Sequence, residues 1–484
     1  MFISAVDMTI VNVALPDISE DLNASVGELQ WVLDAFLVSL AGLLLVGSGL
    51  ADRFGRKRVF LAGMAGFGLA SILCSVAPYP IALIAARALM GAAAACVLPP
   101  ALSLIAVMFP PEERAQALGV WAAVAGVGLV LGPILGGVLV ETIGWQAVFL
   151  VNVPVAAAVV PLGLKVLPES TRPGTPPLDV PGAVLSIVAL SGIVFALIQA
   201  PQSGWTSPLV LGSGAAGLVA GIVFVRRELR VRYPLFDTRV LARPAVAGGA
   251  AAILSVYVAF LGTMFLLPQY LQYVHDRSVI TTGLLLTPLG IGAGVAARYN
   301  ARVAASLGPR VTVAAGLTAH AGATALLLLL SATTSVVLVM ASAGLIGGLI
   351  AISVPAATTV IMNDLGEDKA GDGGAVNQLA RQVGGALGVA IIGTVFATIY
   401  SNRIDDRLTD LAARRRDSAA NSIEQARDVI DRAREGLRGR LTEQVDQAFD
   451  VAARAGFGTC VAVLLLAAVV AALTLPGRPG YAPS

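Results

Sequence analysis

Three charged residues stand inside apolar stretches near the start of the chain. Asp7 lies between Phe2 and Leu15, Asp34 lies four residues into the apolar run 30–50, and Arg87 follows an apolar stretch of alanines. A charge in hydrocarbon is costly and usually marks a functional site. A carboxyl held between an apolar wall and an Arg can be poised to take up and release a proton. The three residues therefore predict a proton-exchanging site.

A structural interpretation of the same residues stays open. In that interpretation Arg87 only neutralises Asp7 and pins two helices together, and Asp34 reaches water because it lies near the outer end of its helix. If the apolar segments pack as a helical bundle, however, all three side chains would meet in one polar cluster.

The composition defines the elements that must position these side chains. Of the 484 residues 57% are hydrophobic and 13% are charged, against about 25% charged residues in a typical soluble domain. This is the composition of an all-α polytopic membrane protein. The net charge of +2 comes from scattered basic residues, which argues against nucleic-acid binding.

Several kinds of catalytic and cofactor site are excluded by residue counts. None of the three Lys residues follows a Gly, so the chain has no P-loop for ATP. Two distant His and three Cys in apolar runs do not form the usual zinc sites. We therefore expect no metal, no cofactor and no enzymatic activity.

Apolar stretches of about 20 residues predict fourteen membrane helices. They cover approximately 1–15, 30–50, 58–77, 80–108, 115–140, 146–167, 181–200, 208–225, 245–271, 281–300, 310–330, 334–362, 372–399 and 456–475. The first falls short of the roughly 30 Å hydrocarbon core at 1.5 Å per residue. We expect either that residues completing it are missing or that the start has been placed too late.

A weak internal repeat divides these helices into two halves. The loop 50–57 and the loop 303–310 share one pattern of apolar, Ala, Gly and basic residues, and the spacing from Gly91 to Pro99 returns from Gly347 to Pro355. Such repeats are common in secondary transporters. We expect a six-helix bundle over 1–170, two inserted helices within 171–240, a second six-helix bundle over 241–475 and a cytoplasmic tail over 476–484.

Basic residues in short loops set the predicted orientation. They concentrate after helices two and eight, whereas the loops on the other side carry only Arg277. Both termini are therefore predicted to be cytoplasmic in a multi-pass protein of the bacterial inner membrane. The long connection 401–455 contains 11 Arg and 11 acidic residues and one helical apolar stripe. We predict an extracytoplasmic helical hairpin there, with a solvated charged loop as the alternative.

Three further groups of residues are candidate functional positions. The loop after helix two suggests a conformational latch of ion pairs and helix ends, formed by Gly49, Asp52, Arg53, Gly55, Arg56 and Lys57. Helix five carries small residues in four-residue steps that permit close packing and a bend, namely Gly128, Gly132, Pro133, Gly136 and Gly137. A polar site in the second half is suggested by Asn377, Gln378 and Arg381.

These motifs together resemble the major facilitator superfamily, and specifically its fourteen-helix drug:proton antiporter branch. Asp7 to Pro16 resembles the branch's helix-one motif, Gly49 to Arg58 the superfamily's loop motif, and Gly126 to Gly137 the antiporter motif. The start of helix six, the start of helix seven and helix thirteen match the branch as well, through Trp145, Phe149, Asn152, Val153 and Pro154, through Leu178, Asp179 and Gly182, and through Arg381, Gln382, Gly384 and Gly385.

The chain also departs from the branch. Met90 stands where a Gln is common, and Ala147 replaces an aromatic residue. We expect no acid within helices nine to thirteen, where some multidrug members carry carboxylates. That expectation argues against a broad preference for divalent cations and concentrates proton coupling on Asp7 and Asp34.

The resemblance implies proton-coupled efflux of amphipathic, cationic drug-like compounds by alternating access. The partners would be the bilayer, protons and a small-molecule or lipid substrate, and the protein would act as a monomer. One alternative is export of a lipid or of a dedicated natural product by the same fold. Another is a membrane scaffold or sensor without turnover that works through the 401–455 hairpin.

Overall fold

The computed structural model describes residues 2–109, 111–170, 179–232, 234, 237–330, 335–366, 369–407, 419–431 and 435–477. In the first half of the chain the helices are α1 (Phe2–Leu22), α2 (Val26–Phe54), α3 (Arg56–Ser75), α4 (Pro80–Ala95), α5 (Leu98–Met108), α6 (Pro111–Thr142), α7 (Ala147–Leu150) and α8 (Asn152–Val166). The inserted helices are α9 (Val180–Ser203) and α10 (Pro208–Glu228).

The second half contains α11 (Pro244–Tyr273), α12 (Val279–Ala297), α13 (Asn300–Leu307), α14 (Pro309–Ala325), α15 (Val336–Leu365), α16 (Ala370–Arg407), α17 (Ile423–Asp431) and α18 (Glu435–Thr474). Short 3-10 turns lie at Thr238–Ala242 and Leu326–Leu329. The predicted all-helical architecture is confirmed.

Twelve helical segments in the described part of the chain are long and apolar enough to cross a membrane. The other two of the fourteen expected spans correspond to α1, which packs against α6, and to α6 itself, in which Leu131–Thr142 forms an apolar stretch among the described residues. A helix that is apolar over about 20 residues suits a hydrocarbon layer, because it satisfies its backbone hydrogen bonds internally.

Two predicted helix boundaries are wrong. The first helix does not end at Leu15 but continues through Pro16 to Leu22, over 21 residues, or about 31 Å. The fourth span is broken between α4 and α5 at Cys96 and Val97, directly before Leu98, Pro99 and Pro100. Proline removes a helical hydrogen bond and restricts the residue before it, so a break at this position is expected.

Glycines let neighbouring helices approach closely in the first half. A Cβ built on Gly91 of α4 would lie 2.3 Å from the carbonyl oxygen of Phe36 in α2, and one on Gly47 would lie 2.0 Å from that of Ala95. No side chain fits at either position. The close approach holds α4, and with it Arg87, against α2.

The most extensive contacts between the two halves, among the described residues, are made by two helix pairs, and α1 also contacts α11. One is α2 with α16, which we call the α2/α16 seam, and the other is α6 with α12. Inserted helix α9 packs against both α2 and α16, whereas α10 packs against α9. The Thr394 hydroxyl of α16 donates to the carbonyl of Leu197 at 2.8 Å, which fixes α9 beside the seam.

An ion pair joins the start of α9 to the end of α10. Asp179 caps α9 by accepting from the Gly182 N–H at 3.1 Å, and Arg227 donates to the same carboxylate at 2.7 Å. Burial alone would raise the pKa of Asp179, but these hydrogen bonds and the charge of Arg227 lower it. The carboxylate therefore remains ionised at neutral pH.

Helices also form in the 401–455 region. α16 extends to Arg407, α17 covers Ile423–Asp431, and α18 runs without interruption from Glu435 into the last apolar span. Ile430, Leu441, Val445 and Phe449 are buried, so the apolar stripe of this region faces the protein. We call the end of the bundle that carries these residues the hairpin end.

Candidate functional site

Asp7 and Arg87 form a buried ion pair between α1 and α4. Arg87 Nη1 lies 2.9 Å from Asp7 Oδ1 and 2.8 Å from Oδ2, and both side chains are almost fully inaccessible. Arg87 Nε donates to the carbonyl oxygen of Val32 in α2 at 2.9 Å. The pair therefore links three helices of the first half and leaves Asp7 fully compensated.

Aromatic rings and sulfur complete the surroundings of Arg87. Its guanidinium lies 4.5 Å from the ring centre of Phe36 and 5.8 Å from that of Phe149. Met90, which departs from the family pattern, accepts from Arg87 through its sulfur at 3.4 Å. A guanidinium stacked on rings and paired with a carboxylate is well stabilised away from water.

Asp34 is equally buried but does not join this pair. Its relative exposure is 0%, and neither carboxylate oxygen has a hydrogen-bond partner among the described residues. The expected cluster of two acids and one Arg is therefore an ion pair plus a separate acid. An ionised carboxylate without a partner in such a place would cost roughly several kcal/mol.

A narrow cavity connects the ion pair with the second half. It has a volume of about 20 Å³ and is lined by Asp7, Asn12 and Arg87 from the first half and by Leu261 and Val389 from the second. This is room for about one water molecule. Asp7 therefore lies next to the contact between the two halves, although its partner Arg87 belongs to the same half as Asp7.

The small residues of α6 pack against two different helices, α1 and α12. A Cβ on Gly132 or Gly136 would meet Thr9 or Ile10 of α1, in the same half. A Cβ on Gly137 would instead lie 2.7 Å from Ile280 Cα of α12, in the other half. Pro133 also faces α12, because its carbonyl oxygen would lie 2.2 Å from a Cβ on Gly283. Gly128, further from the hairpin end, is buried.

The latch residues surround the turn between α2 and α3. Gly55 has a φ of 109°, which only glycine adopts readily, and separates the two helices. Arg56 pairs with Asp52 at 2.9 Å, Lys57 Nζ donates to the carbonyl of Leu164 at 2.8 Å, and Arg53 is exposed beside Phe54. Gly49 is half-buried in the last turns of α2. These bonds of Arg56 and Lys57 stay within the first half.

The polar residues of the second half lie along α16. Asn377 is buried and donates to the Thr358 hydroxyl of α15, and Gln378 is half-buried. Arg381 lies with its guanidinium 5.4 Å from the ring centre of Tyr257 in α11. The expectation that helices nine to thirteen lack acids is wrong at two helix ends, because α15 includes Asp364 and α16 begins before Asp372.

The sequence did not lead us to predict the contact of Gln30 across the α2/α16 seam. Gln30 of α2 donates through Nε2 to the carbonyl oxygens of Val389 and Ala390 in α16, at 3.2 and 3.3 Å. Gly393 lies beside it, and a Cβ there would be 2.1 Å from Gln30 Nε2. Gln30 is an amide side chain inside an apolar run, and this could have indicated a polar contact there. Asp34 follows Gln30 by four residues and therefore lies on the same face of α2.

A second, larger cavity opens at the hairpin end. It has a volume of about 470 Å³ and is lined by Asp17 and Glu20 of α1, Tyr273 and Arg277 near the end of α11, and Arg427 of α17. Arg427 donates to the carbonyl of Tyr273 at 2.6 Å. The described part of the hairpin thus lies directly beside the ends of helices from both halves.

Comparison with known proteins agrees with this arrangement of two packed halves. The family model described as Major Facilitator Superfamily matches residues 1–389. The chain belongs to the major facilitator superfamily. This membership makes it a polytopic membrane transporter, as the resemblance implied.

Relatives within the superfamily are resistance and export proteins. The tetracenomycin C resistance and export protein of Streptomyces glaucescens is 33% identical over 98% of this chain and 90% of its own length. The puromycin resistance protein pur8 of Streptomyces alboniger is 39% identical over 84% of this chain and 82% of its own. The multidrug efflux pump LfrA of Mycolicibacterium smegmatis is 32% identical, covering 96% of this chain and 92% of its own.

A solved transporter structure shares the fold. A bacterial homolog of the human lysosomal transporter Spinster, in an inward-facing and unoccupied conformation, aligns with a TM-score of 0.70 over 99% of this chain and 96% of its own. Only 17% of residues are identical, so this likeness supports the superfamily architecture alone.

Proposed function

We propose that this superfamily member is a proton-coupled efflux antiporter that exports amphipathic drug-like compounds across the bacterial inner membrane by alternating access. The observation that carries the proposal is Asp34, which is buried one helical turn after the seam residue Gln30, with both carboxylate oxygens unpaired in the described structure. A carboxyl group between two moving halves can take up a proton as the carboxylate on one side and release it as the neutral acid on the other.

Asp7 and Asp34 take different roles in this proposal. Asp34 carries the transported proton, because water reaches it only when α2 and α16 separate. Asp7 stays paired with Arg87 and holds α1 in place beside the 20 Å³ cavity. Protonation of Asp34 from outside removes a negative charge, weakens attraction for a bound cationic group and favours substrate release. Loss of the proton inward restores the anionic site.

The substrate class is supported by the relatives and by the apolar walls. Proteins named for tetracenomycin C export, puromycin resistance and multidrug efflux align over most of this chain. Leu33, Phe36, Leu37 and Leu261 line the 20 Å³ space beside the ion pair. If the halves separate there, these side chains would offer an apolar wall to the body of a compound. Export of a lipid would appear as uptake of labelled lipid instead of dye in the same assay.

The orientation and the latch belong to the same proposal. With both termini in the cytoplasm, the hairpin end faces outward and the loop from Gly49 to Lys57 faces the cytoplasm. Contacts at the hairpin end, such as Gln272 of α11 donating to the Val13 carbonyl of α1 at 3.0 Å, would then hold the outer end closed while the halves separate at the cytoplasmic face. The latch residues would bias this equilibrium through the position of α3.

The experiment is a transport assay in proteoliposomes with an imposed pH gradient and ethidium as the cationic probe. We expect Asp34→Asn to reduce proton-driven transport at least tenfold, because Asn cannot bind a proton. Its melting temperature should stay close to wild type, since Asn resembles the neutral acid in shape. The matched control is Glu443→Gln, an exposed acid of α18, which should transport normally. Full proton-driven transport by Asp34→Asn would refute the role of this residue.

A further inference from the structure

Arg381 lies on the face of α16 that borders the first half. Val389, Gly385 and Arg381 follow one another at intervals of four residues and so share one helix face. Val389 lines the cavity beside Asp7, and a Cβ on Gly385 would touch Leu37 of α2 and Leu261 of α11. Arg381 therefore continues this surface by one turn, away from the hairpin end.

The charge of Arg381 is not balanced by an acid within the described residues. Its guanidinium lies 5.4 Å from the ring centre of Tyr257, which is one turn from Leu261 on α11. Its Nε atom is buried and has no hydrogen-bond partner there. Arg within a membrane-spanning segment usually pairs or lines a water-filled path. A half-buried guanidinium with an unused donor is suited to a ligand.

Asp34 faces the same seam from the other side. Gln30, one turn before it, meets Val389 and Ala390, and Leu37, nearly one turn after it, meets Gly385. Asp34 therefore lies level with the α16 segment between Gly385 and Val389. Arg381 is one to two turns further along, or roughly 5 to 11 Å.

We propose that Arg381 binds the acidic group of an amphipathic zwitterionic substrate whose basic group lies toward Asp34. Asp7 and Arg87 cancel each other inside the first half, so along the α2/α16 seam, within the described residues, the charges available to a ligand are those of Asp34 and Arg381. The planar guanidinium offers two parallel N–H donors to a carboxylate. Tyr257 holds the guanidinium plane from behind.

This inference rests on the proposed antiport and agrees with its direction. When Asp34 loses its proton, the seam holds one negative and one positive charge, which matches a zwitterion oriented along it. When Asp34 regains a proton, the basic group loses its partner and the substrate is released. A purely anionic substrate would instead compete with ionised Asp34 for Arg381.

The test compares two dyes that share one ring system. Rhodamine B carries a carboxylate and a delocalised cation, and its ethyl ester carries only the cation. Equilibrium binding to the purified full chain is measured by fluorescence polarisation, without a pH gradient. We expect Arg381→Gln to weaken the binding of rhodamine B about tenfold, because charge-assisted hydrogen bonds are lost. The binding of the ester should change less than twofold.

Two further variants guard against a general loss of structure. Arg381→Lys keeps the charge without the two-pronged donor, and it should weaken the binding of rhodamine B by a smaller factor while sparing the ester. Arg298→Gln removes an exposed Arg after α12 and should alter neither dye. If Arg381→Gln does not fold, Arg381→Lys decides the question alone.

The inference is overturned if both dyes lose affinity equally in the Arg381 variants, if rhodamine B loses none, or if the wild-type chain binds only the ester. Failure of the antiport proposal is distinguishable, because it would abolish pH-driven flux of every dye while the difference in equilibrium binding persisted.

Discussion

Asp7 and Asp34 are both buried aspartates, but their surroundings differ: Asp7 is paired with Arg87, whereas Asp34 lies near the α2/α16 seam without a partner in the described structure. Both acids are buried and lie on neighbouring helices. Asp7 receives two hydrogen bonds from Arg87, within one half of the protein. Asp34 has no partner among the described residues and lies one turn after Gln30, which contacts α16 of the other half. Burial alone therefore does not define what a carboxyl does in this protein.

In the proposed alternating-access cycle, the difference follows from where each group lies relative to the two halves that would move. Contacts inside one half can stay formed throughout a transport cycle, so a costly buried charge there can be compensated permanently. A contact between halves must form and break, and a strong permanent ion pair would oppose that change. We infer that residues around Asp7 determine stability, whereas residues along the seam determine the balance between conformations.

The largest effect expected from this comparison is on stability. Arg87→Met should lower the free energy of unfolding by about 3 to 5 kcal/mol, because Asp7 is left as an uncompensated buried charge. Thermal unfolding of the purified protein in detergent measures the loss. Asp34→Asn, measured in parallel, should change stability by less than about 1 kcal/mol.

A double variant separates lost charge pairing from lost packing. Asp7→Asn combined with Arg87→Met removes both charges, and it should recover a large part of the stability lost by Arg87→Met alone. If Arg87→Met unfolds at the wild-type temperature, Asp7 is not held by this pair and the comparison fails.

Gly132 of α6 and Gly283 of α12 form a matched pair for substitution by Ala, with smaller expected effects on stability than Arg87→Met. A Cβ at Gly132 would be 2.0 Å from Thr9 Oγ1 in the same half, and a Cβ at Gly283 would be 2.2 Å from the Pro133 carbonyl oxygen in the other half. Gly132→Ala should therefore cost about 1 to 3 kcal/mol of stability through overpacking. Gly283→Ala should instead push α12 away from α6.

Labelling of an introduced cysteine distinguishes the two outcomes. Ser19 is buried in α1 at the hairpin end, so Ser19→Cys should react with a maleimide faster in the Gly283→Ala background and at an unchanged rate in the Gly132→Ala background. Equal labelling and equal melting temperatures in both backgrounds would show that the junction between halves is no more mobile than the interior of one half.

The sequence allowed much of this arrangement to be predicted. Charges are so costly in apolar segments that Asp7, Asp34 and Arg87 stood out, and long apolar runs are enough to predict membrane helices. Small residues at intervals of four along α6 predicted close packing. Each of these inferences depends on local composition alone.

Other features depended on helix rotation and register, which composition does not encode. Asp34 lies on the face of α2 that carries Gln30, away from Arg87, and this could not be read from its distance along the chain. Gly136 and Gly137 are adjacent yet pack against helices of different halves. α1 also continues through Pro16, where the sequence predicted an end, and Gln272 of α11 donates to the carbonyl of nearby Val13.

The smallest expected effect concerns Gln30, and it tests the assignment of the seam most directly. Gln30→Ala removes two hydrogen bonds to α16 carbonyls, which contribute about 1 kcal/mol in total. Because these bonds exist only when the seam is closed, their loss should raise the population of the separated state roughly fivefold and leave the unfolding temperature nearly unchanged. Maleimide labelling of Thr394→Cys, buried beside α9, should accelerate accordingly.

The matched control is Gln199→Ala on exposed α9 surface, which should leave labelling unchanged. A loss of melting temperature as large as that of Arg87→Met would instead mean that the seam is a permanent interface, and Asp34 would then be shielded from protons on both sides.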